Sequence, residues 1–436
     1  MRLNHDHFFS CKNMNIHPGS GMVEHSGLNK KTMATIVSSK SIPLPRETEI
    51  HGHLPEQWVQ ESEHPSVSQV VTNILNHPVD LHRLQGIGAE GQSGCAIYFA
   101  HDSHDAGQVL AVAKVFPQTR RSDFLDELAS HHRLRSLDQP PAAARVLGTG
   151  RCYDETMGPS SPWQDVTVYE LAPGVAINSL IRDAGRLTTL RGIAQLSRQD
   201  GRLRQDLEDL LFNELAQGMG MDGCASGYGE RNGKTYTRSG LCLEMQRRFD
   251  HLMTELIHSV QAVAAVLATL HRVQGEWSEA GESVLERTRS KLQSWMHEIH
   301  GPSQSVYVRA IGADGVERLD ALVHRAIEES RHDGIASLLH GDASSGNFFW
   351  HSVQGITMID YGGLAHSIDA AGRPTGPAEM DAAGFYERLR KYAGNFGMKE
   401  SDIGLVQAAF WKAYQAQGLS VNEGIVQLFR ARTQLS

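Results

Sequence analysis

The hydrophobic residues between about positions 67 and 172 occur in short runs that are separated by Gly, Asp and Pro. The runs have the length and composition of β-strands and lie at 95–99, 109–116, 143–147 and 166–171. A single stretch with helical spacing, from about Arg121 to Ser136, interrupts them. The pattern predicts a small antiparallel sheet that carries one helix, because a doubly wound sheet would show regular alternation of strands and helices.

From Pro173 onwards the spacing of hydrophobic residues is mostly helical. The clearest helix is predicted from about Leu241 to Arg272, where apolar residues recur at steps of three and four and form one buried stripe. Weaker helical periods follow at about 280–299, 315–329, 378–396 and 401–416. Three short apolar runs among them are typical of buried hairpin strands and lie at 335–339, 347–350 and 356–359. A strand-rich part followed by a helical part predicts the α+β class.

Residues 1 to about 66 lack this organisation. Scattered histidines are mixed with Ser, Asn, Gly and Pro, and no apolar period continues for more than a few residues. Burial of so few apolar groups cannot offset the entropy of ordering the chain. We therefore expect a disordered or loosely packed leader, with a targeting or secretion segment as the alternative. A Gly-rich connector at about 218–240 interrupts the helical part.

Charge and cysteine content restrict the classes of function. The chain has a formal net charge of -9, whereas a general nucleic-acid binder needs a surplus of Lys and Arg. Its 5 cysteines are dispersed without Cys-x-x-Cys spacing, which indicates reduced thiols in a cytoplasm-like compartment and no zinc site. The most apolar run, Val260 to Leu270, is about half as long as a bilayer span. We expect a cytoplasmic protein without nucleic-acid or membrane partners.

One short stretch of the helical part carries the most informative polar side chains. An apolar pair leads into His340-Gly341-Asp342, and Asn347 follows five residues after the aspartate. Asp360 ends a later apolar run. Phosphoryl transfer needs a carboxylate at the acceptor hydroxyl, and an amide oxygen with a second carboxylate to hold Mg²⁺ against nucleotide phosphates. Hairpin strands beside the loop would bring Asp342, Asn347 and Asp360 to one point.

This stretch resembles the loop of the aminoglycoside phosphotransferase and choline kinase-like enzymes, which are distant relatives of the protein kinases. These enzymes carry His-Gly-Asp-x-x-x-x-Asn followed by an Ile-Asp pair, and the present chain has both. The resemblance implies that Asp342 is the catalytic base and that Asn347 and Asp360 bind Mg²⁺. It gives His340 a structural role that ties the loop together. The cofactors it implies are ATP and Mg²⁺.

The same resemblance implies a two-lobed, protein kinase-like fold. Residues 1–66 would be the leader, 67–172 an N-terminal nucleotide-binding lobe, and 173–436 a C-terminal lobe that binds the acceptor. The resemblance covers about residues 80–395 and leaves the leader and the connector at 218–240 without a counterpart. In this family the region between hinge and catalytic loop shapes the acceptor pocket, so both features leave the acceptor open.

Two charged residues of the strand-rich part extend the resemblance. Lys114 lies on the third predicted strand, where the family keeps the lysine that contacts the nucleotide phosphates. Glu127 lies on the only predicted helix of this part, where a carboxylate would pair with that lysine. Asp123 and Asp126 lie on the same helix and remain alternative partners.

A glycine-rich loop and a hinge complete the predicted nucleotide site. Gly86, Gly88 and Gly91 fit G-x-G-x-x-G and precede a strand, which favours a loop that folds over phosphates. Glu170 and Ala172 lie where the family has its hinge, whose backbone groups meet the adenine edge.

Two further positions match the family outside the nucleotide site. His271 and Asp381 lie in segments that resemble helices before and after the catalytic loop. We expect structural roles for both, as a packing histidine and a helix-start carboxylate.

Three interpretations of the function remain open. The first is a kinase for a hydroxyl group of a small molecule, such as a sugar, an amino alcohol or an aminoglycoside-like compound. It is favoured by Gly341 and by the lack of Lys or Arg between Asp342 and Asn347, since protein kinases usually have basic residues there. The second is a protein kinase, with a bacterial effector secreted into a host cell as one form of it. The third is a pseudokinase that only binds. The choice of ATP or GTP and the oligomeric state also remain open.

Overall fold

The structure is a computed structural model of the chain. It describes residues 65–84, 94–153, 162–199, 229–231, 234–236, 238–301, 304–330 and 335–435. The predicted leader, apart from its last two residues, lies outside this part of the chain.

The N-terminal part contains a five-stranded antiparallel sheet with strand order β1-β2-β3-β5-β4. Its strands are β1 (Val79–Arg83), β2 (Ala96–Asp102), β3 (Val109–Phe116), β4 (Val146–Cys152) and β5 (Gln164–Glu170). The predicted run at 143–147 is corrected, because β4 begins only at Val146. Ala143 and Ala144 instead contact the backbone of Met358 in the helical part.

The prediction of one helix on this sheet is wrong, because two helices contact it. The expected helix is α2 (Arg121–Arg135), and α1 (Val67–Leu75) is additional. A capping box begins α1, since Ser66 Oγ accepts from Gln69 N at 3.2 Å and the Gln69 side chain accepts from Ser66 N. The buried side of α1 lies against the sheet so closely that a Cβ at Gly150 would come within 2.7 Å of Val70.

The C-terminal part is mostly helical, in agreement with the α+β prediction. Its helices are α3 (Ile177–Gln199), α4 (Arg238–His271), α5 (Glu279–His300), α6 (Gln304–Ile311), α7 (Ala313–Glu329), α8 (Ala378–Asn395), α9 (Glu400–Gln415) and α10 (Glu423–Leu435). Helices α3, α6 and α10 were not predicted from the sequence.

Short strands connect these helices. They are β6 (Val175–Ala176), β7 (Gly229–Arg231), β8 (Lys234–Tyr236), β9 (Gln274–Glu276), β10 (Ile335–Ser337), β11 (Phe348–His351) and β12 (Gly355–Met358). Strands β11 and β12 form the predicted hairpin, and β6 extends it. The predicted hairpin role of the run at 335–339 is corrected, because β10 pairs with β9. Strands β7 and β8 form a small hairpin within the Gly-rich connector.

Helix α4 is the central element of the helical core. Leu256, Val260 and Val263 are fully buried there, in a cluster shared with α3, α8 and α9. By length and composition, the Met245–His271 portion of α4 could also cross a membrane, with a mean hydropathy of 1.4. The core helix of a soluble protein passes the same test, so this finding is weak support for a membrane span.

Helix α2 joins the sheet to the helical part. Ser130 Oγ donates to Gly362 O at 3.2 Å and accepts from Ala365 N at 3.0 Å. Tyr361 donates to Ala144 O at 2.8 Å, and its ring stacks on buried His131. These contacts hold the lysine of β3 and the chain after β12 on opposite sides of one cleft.

Buried His131 should make stability depend on pH. Its Nε2 accepts from Val146 N at 3.2 Å, so the ring is neutral. Burial, together with Arg135 and His132, lowers its pKa from 6.5 to about 4. Between these values the unfolded chain binds a proton that the folded protein does not, so the free energy of unfolding should fall as pH falls from 6.5 towards 4.

The test is chemical denaturation of the full chain across this pH range. His131→Gln keeps an acceptor for Val146 but cannot titrate, so its stability should fall less steeply than that of the wild type. His297→Gln removes an exposed histidine and is the control, which should keep the wild-type slope. Equal slopes for wild type and His131→Gln would contradict a buried neutral histidine.

Candidate active site

The loop between β10 and β11 is held in an unusual backbone conformation. Gly341 has φ +84°, a value that residues with a Cβ rarely adopt. A Cβ at this position would also come within 2.6 Å of the backbone of Gly363. Glycine is therefore required between His340 and Asp342, since only the absent side chain lets the loop approach the segment after Asp360.

Asp381 fixes this loop to helix α8. The carboxylate accepts from His340 N at 2.6 Å and from Gly341 N at 3.0 Å, and His271 Nε2 lies 3.3 Å from it. Burial opposes its ionisation, but the contacts with His271 and His340 outweigh burial and lower the pKa of Asp381. His271 is itself fully buried and contacts Tyr414 at 2.6 Å. Both residues thus make structural contacts, although Asp381 holds the loop rather than its own helix.

His340 links the loop to the end of β12. Its Nε2 donates to Ile359 O at 3.2 Å, which leaves Nδ1 to accept from Asp342 N at 3.4 Å. Asn347 makes a second link, since Ile359 N donates to Asn347 O at 2.9 Å. These contacts hold Asp342 and Asn347 beside the residue that follows Ile359, which is Asp360.

Asn347 also contacts the candidate base directly. Its side-chain nitrogen donates to Asp342 O at 2.9 Å and to Asp342 Oδ2 at 3.2 Å. This orientation leaves the amide oxygen of Asn347 directed away from Asp342.

Lys114 pairs with two carboxylates across the cleft. Its ammonium donates to Glu127 Oε2 at 2.7 Å and to Asp360 Oδ1 at 2.8 Å. Tyr169 donates to the other carboxylate oxygen of Glu127. Burial alone would lower the pKa of Lys114, but Glu127 and Asp360 outweigh it and hold the pKa above its usual value. The lysine is therefore charged in a largely buried site, and Glu127 is its helix partner.

The alternative partners of Lys114 are engaged elsewhere. Asp123 lies 3.4 Å from Arg120, and Asp126 lies 3.5 Å from His366. Both aspartates line the cavity that contains Lys114, but neither contacts the lysine.

We expect Lys114→Ala and Glu127→Ala to be strongly non-additive. Without Glu127 the lysine loses the partner that fixes its position, and without Lys114 the buried glutamate has no cation, so either change removes the pair. Each variant should lose more than about tenfold in kcat/KM, and the double variant should be little worse than the weaker single variant. Steady-state kinetics of the four proteins gives the coupling. Lys114→Ala combined with Asp123→Ala is the control and should be additive; a similar result for both pairs would contradict the assignment.

The cavity between the two parts has a volume of about 250 Å³ and is lined by Lys114, Glu127, Asp342 and Asp360. The Asp360 side chain is 48% exposed, and its backbone has φ 53°, a left-handed conformation that is uncommon for residues other than glycine. Four of the residues predicted for the nucleotide, metal and catalytic roles thus meet in one place.

Asn347 and Asp360 fit a Mg²⁺ ion that is shared with phosphates. Asp360 Oδ2 has no hydrogen-bond partner among the described residues, and the Asn347 amide oxygen is also available. In the described part of the chain, no group of three or more His, Cys, Asp and Glu side chains could form a complete protein cage. Mg²⁺ usually takes one or two protein oxygens and completes its shell with phosphate and water, so this donor set suits it.

Of the other residues predicted to contact the nucleotide, the structure describes only Glu170 and Ala172. Gly86, Gly88 and Gly91 lie outside the described residues. Glu170 ends β5, its N–H donates to Arg145 O at 2.8 Å, and its carboxylate lies 3.5 Å from Arg145. Ala172 is buried just beyond it.

Sequence reasoning missed Arg388 of helix α8. Its Nη1 donates to Asp342 Oδ1 and, at 3.2 Å, to Ala343 O. The available signal was its position seven residues after Asp381, which places both side chains on the same side of the helix.

The chain is similar to solved structures of kinases that act on small molecules. A glucosamine kinase bound to glucosamine, ADP and inorganic phosphate has 12% identity and a TM-score of 0.41, with coverage of 84% of this chain and 77% of the other. An aminoglycoside-3'-phosphotransferase of type VIII has 14% identity and a TM-score of 0.39, with coverage of 82% and 94%. The Plasmodium vivax ethanolamine kinase Pv091845 has 10% identity and a TM-score of 0.27, with coverage of 81% and 72%.

No model of a protein family matches the sequence, and no curated protein matches it. The similar solved structures are of the class that the sequence motifs resemble. Because their identities are below 25% and their TM-scores below 0.5, the functional proposal depends on the geometry of the site in this chain.

Proposed function

We propose that the protein is an ATP-dependent phosphotransferase that acts on a hydroxyl group of a small molecule. The observation that carries the proposal is that Lys114, Glu127, Asp342 and Asp360 line one cavity between the sheet and the helical part. A cavity in this position supports a two-lobed, kinase-like enzyme in which the nucleotide would bind between the lobes.

Each residue has a role that follows from its contacts. Lys114, held by Glu127 and Asp360, would bind the nucleotide phosphates. Asp342 would accept the proton of the acceptor hydroxyl. The hydroxyl oxygen would then bond to the γ-phosphorus of ATP as the bond between this phosphorus and ADP breaks. Asn347 and Asp360 would hold Mg²⁺, which offsets the negative charge of the phosphates when it is bound.

A small acceptor is favoured by the segment between Asp360 and α8. Residues 362–367 form a short 3₁₀ helix against α2. Ser367 accepts from Leu339 N at 3.0 Å and from Thr375 N at 2.7 Å, so the chain returns at once to the catalytic loop. A protein kinase needs a longer segment here to dock a peptide. The chain has the expected residue at the lysine position, at the base position and at both metal-ligand positions. This favours an enzyme over a pseudokinase.

The test uses purified full chain and γ-labelled ATP or GTP with two acceptor pools, a metabolite extract and a protein lysate. We expect label to enter metabolites, only with Mg²⁺ present, and not with the Asp342→Asn variant as the control. Label in proteins alone would favour a protein kinase. Nucleotide binding without transfer to either pool would identify a pseudokinase.

A further inference from the structure

Arg388 donates a hydrogen bond to the carboxylate of Asp342, the candidate catalytic base. Asp381 anchors α8 to the loop, and Arg388, two turns further along this helix, reaches Asp342 Oδ1. Asn347 holds the other oxygen, Oδ2, at 3.2 Å. Both carboxylate oxygens are therefore hydrogen-bonded, although the side chains of Arg388 and Asp342 are 40% and 47% exposed. A guanidinium has five N–H donors, so Arg388 can bind a further partner from the solvent side.

A second arginine lies next to Arg388 on the neighbouring helix α10. The two helices are tied together by Arg430, whose Nε donates to Glu387 Oε1 at 2.6 Å. Glu387 is the residue before Arg388, and its second oxygen accepts from Gln434. Arg432 lies close enough to Arg388 for their charges to interact, and it is partly buried. Among the described residues, it has neither a carboxylate nor a hydrogen-bond partner.

The surroundings of Arg432 are unfavourable for a cation. Burial lowers the pKa of Arg432, and the positive charges of Arg388 and Arg287 lower it further. Glu387 cannot compensate, because Arg430 and Gln434 already hold it. Three guanidinium groups thus lie near one another, and one of them, Arg388, contacts the candidate base. An anion placed between Arg388 and Arg432 would relieve this repulsion, and guanidinium groups match carboxylates and phosphates with paired hydrogen bonds.

We infer that the acceptor is an anionic hydroxyl compound, a carboxylate or a phosphate ester, whose anionic group binds Arg388 and Arg432 while its hydroxyl faces Asp342. The inference rests on the proposed phosphotransferase activity and adds the chemical class of its substrate. Binding of the anion would give Arg388 a new partner and free Asp342 Oδ1 to accept the hydroxyl proton.

The first experiment separates the charge classes before the assay. A metabolite extract is divided on an anion-exchange resin, and each fraction is incubated with the full chain, Mg²⁺ and γ-labelled ATP. Label should enter a compound of the retained, anionic fraction. Label only in the unretained fraction would overturn the inference and leave the phosphotransferase activity established. Label in neither fraction would overturn both.

The same assay distinguishes the two anions. The retained fraction is treated with phosphatase, and the phosphatase is removed before the kinase is added. Loss of the acceptor identifies a phosphate ester, and its survival identifies a carboxylate; either result supports an anionic acceptor.

The second experiment tests the arginines with the labelled fraction as substrate. Arg432→Gln does not disturb Asp342, so it should raise KM at least about tenfold and change kcat much less. Arg432→Lys keeps the charge but loses the paired N–H donors of the guanidinium, so its KM should lie between those of the wild type and Arg432→Gln. Arg390→Gln, on α8 but paired with Glu400 at 2.9 Å, is the control and should keep the wild-type KM. An unchanged KM in Arg432→Gln that still shows the wild-type melting temperature would overturn the inference.

Discussion

Replacing Asp342 by Asn is expected to reduce turnover at least about a hundredfold, because the amide cannot accept the proton of the acceptor hydroxyl. Asn retains the size of the side chain and can still accept from Asn347, so the loop should keep its conformation. Arg388 loses its charged partner, which should add to the effect on the acceptor. Nucleotide affinity should change little, since Asp342 contacts neither Lys114 nor Glu127.

The measurement is single-turnover phosphate transfer from labelled ATP, with nucleotide affinity determined by calorimetry. Asp183→Asn, a surface carboxylate that is 53% exposed beside Arg182, is the control for the loss of one charge and should be as active as the wild type. Near wild-type transfer by Asp342→Asn would show that another group takes the proton, and would remove Asp342 from the proposed mechanism.

The loop that carries the candidate catalytic residues could be predicted because these residues are close together in the sequence. His340, Asp342 and Asn347 have a fixed spacing, and the apolar runs beside them predict the strands that position them. The structure adds why the spacing works: the loop backbone is held by Asp381 and by the required glycine at position 341.

The partner of Lys114 could not be chosen from the sequence alone. Asp126 and Glu127 follow Asp123 by three and four residues, so both lie on the same side of α2 as Asp123. Only the position of the helix against the sheet shows that Glu127 reaches the lysine, which it does at 2.7 Å. A pattern identifies a helix face, but which of its residues makes the contact depends on tertiary packing.

Helix α1 and strand β1 were missed for a local reason. Helix α1 has only nine residues, and its buried apolar residues are Val70, Val71 and Ile74. A window of this length is too short to show a helical period. Strand β1 has only five residues, and three of them are charged or His. Its two apolar residues are therefore too few to form a recognisable hydrophobic run. Arg388 was missed because its contact with Asp342 joins residues that are distant in sequence.

Replacing Asp360 should weaken the binding of nucleotide only when Mg²⁺ is present. In the proposed site the carboxylate is one of two side chains, with Asn347, that would hold the ion, so its loss should lower Mg-ATP affinity at least about tenfold. Without the metal, the same carboxylate lies near the negative phosphates and repels them, so metal-free ATP should bind the variant at least as well as it binds the wild type. The opposite responses distinguish a metal ligand from a residue that merely supports the fold.

The choice of substitution matters because Asp360 has φ 53°. Asn tolerates this left-handed conformation better than Ala, so Asp360→Asn should preserve the turn after β12, and Asp360→Ala should lose some thermal stability as well. Calorimetric titration of both variants with ATP, in Mg²⁺ and in EDTA, measures the effect, and Lys114→Ala is the control because it should lose affinity under both conditions. If Asp360→Ala, which keeps no side-chain oxygen, binds Mg-ATP as the wild type does, or if both variants lose affinity equally with and without Mg²⁺, Asp360 does not bind the metal.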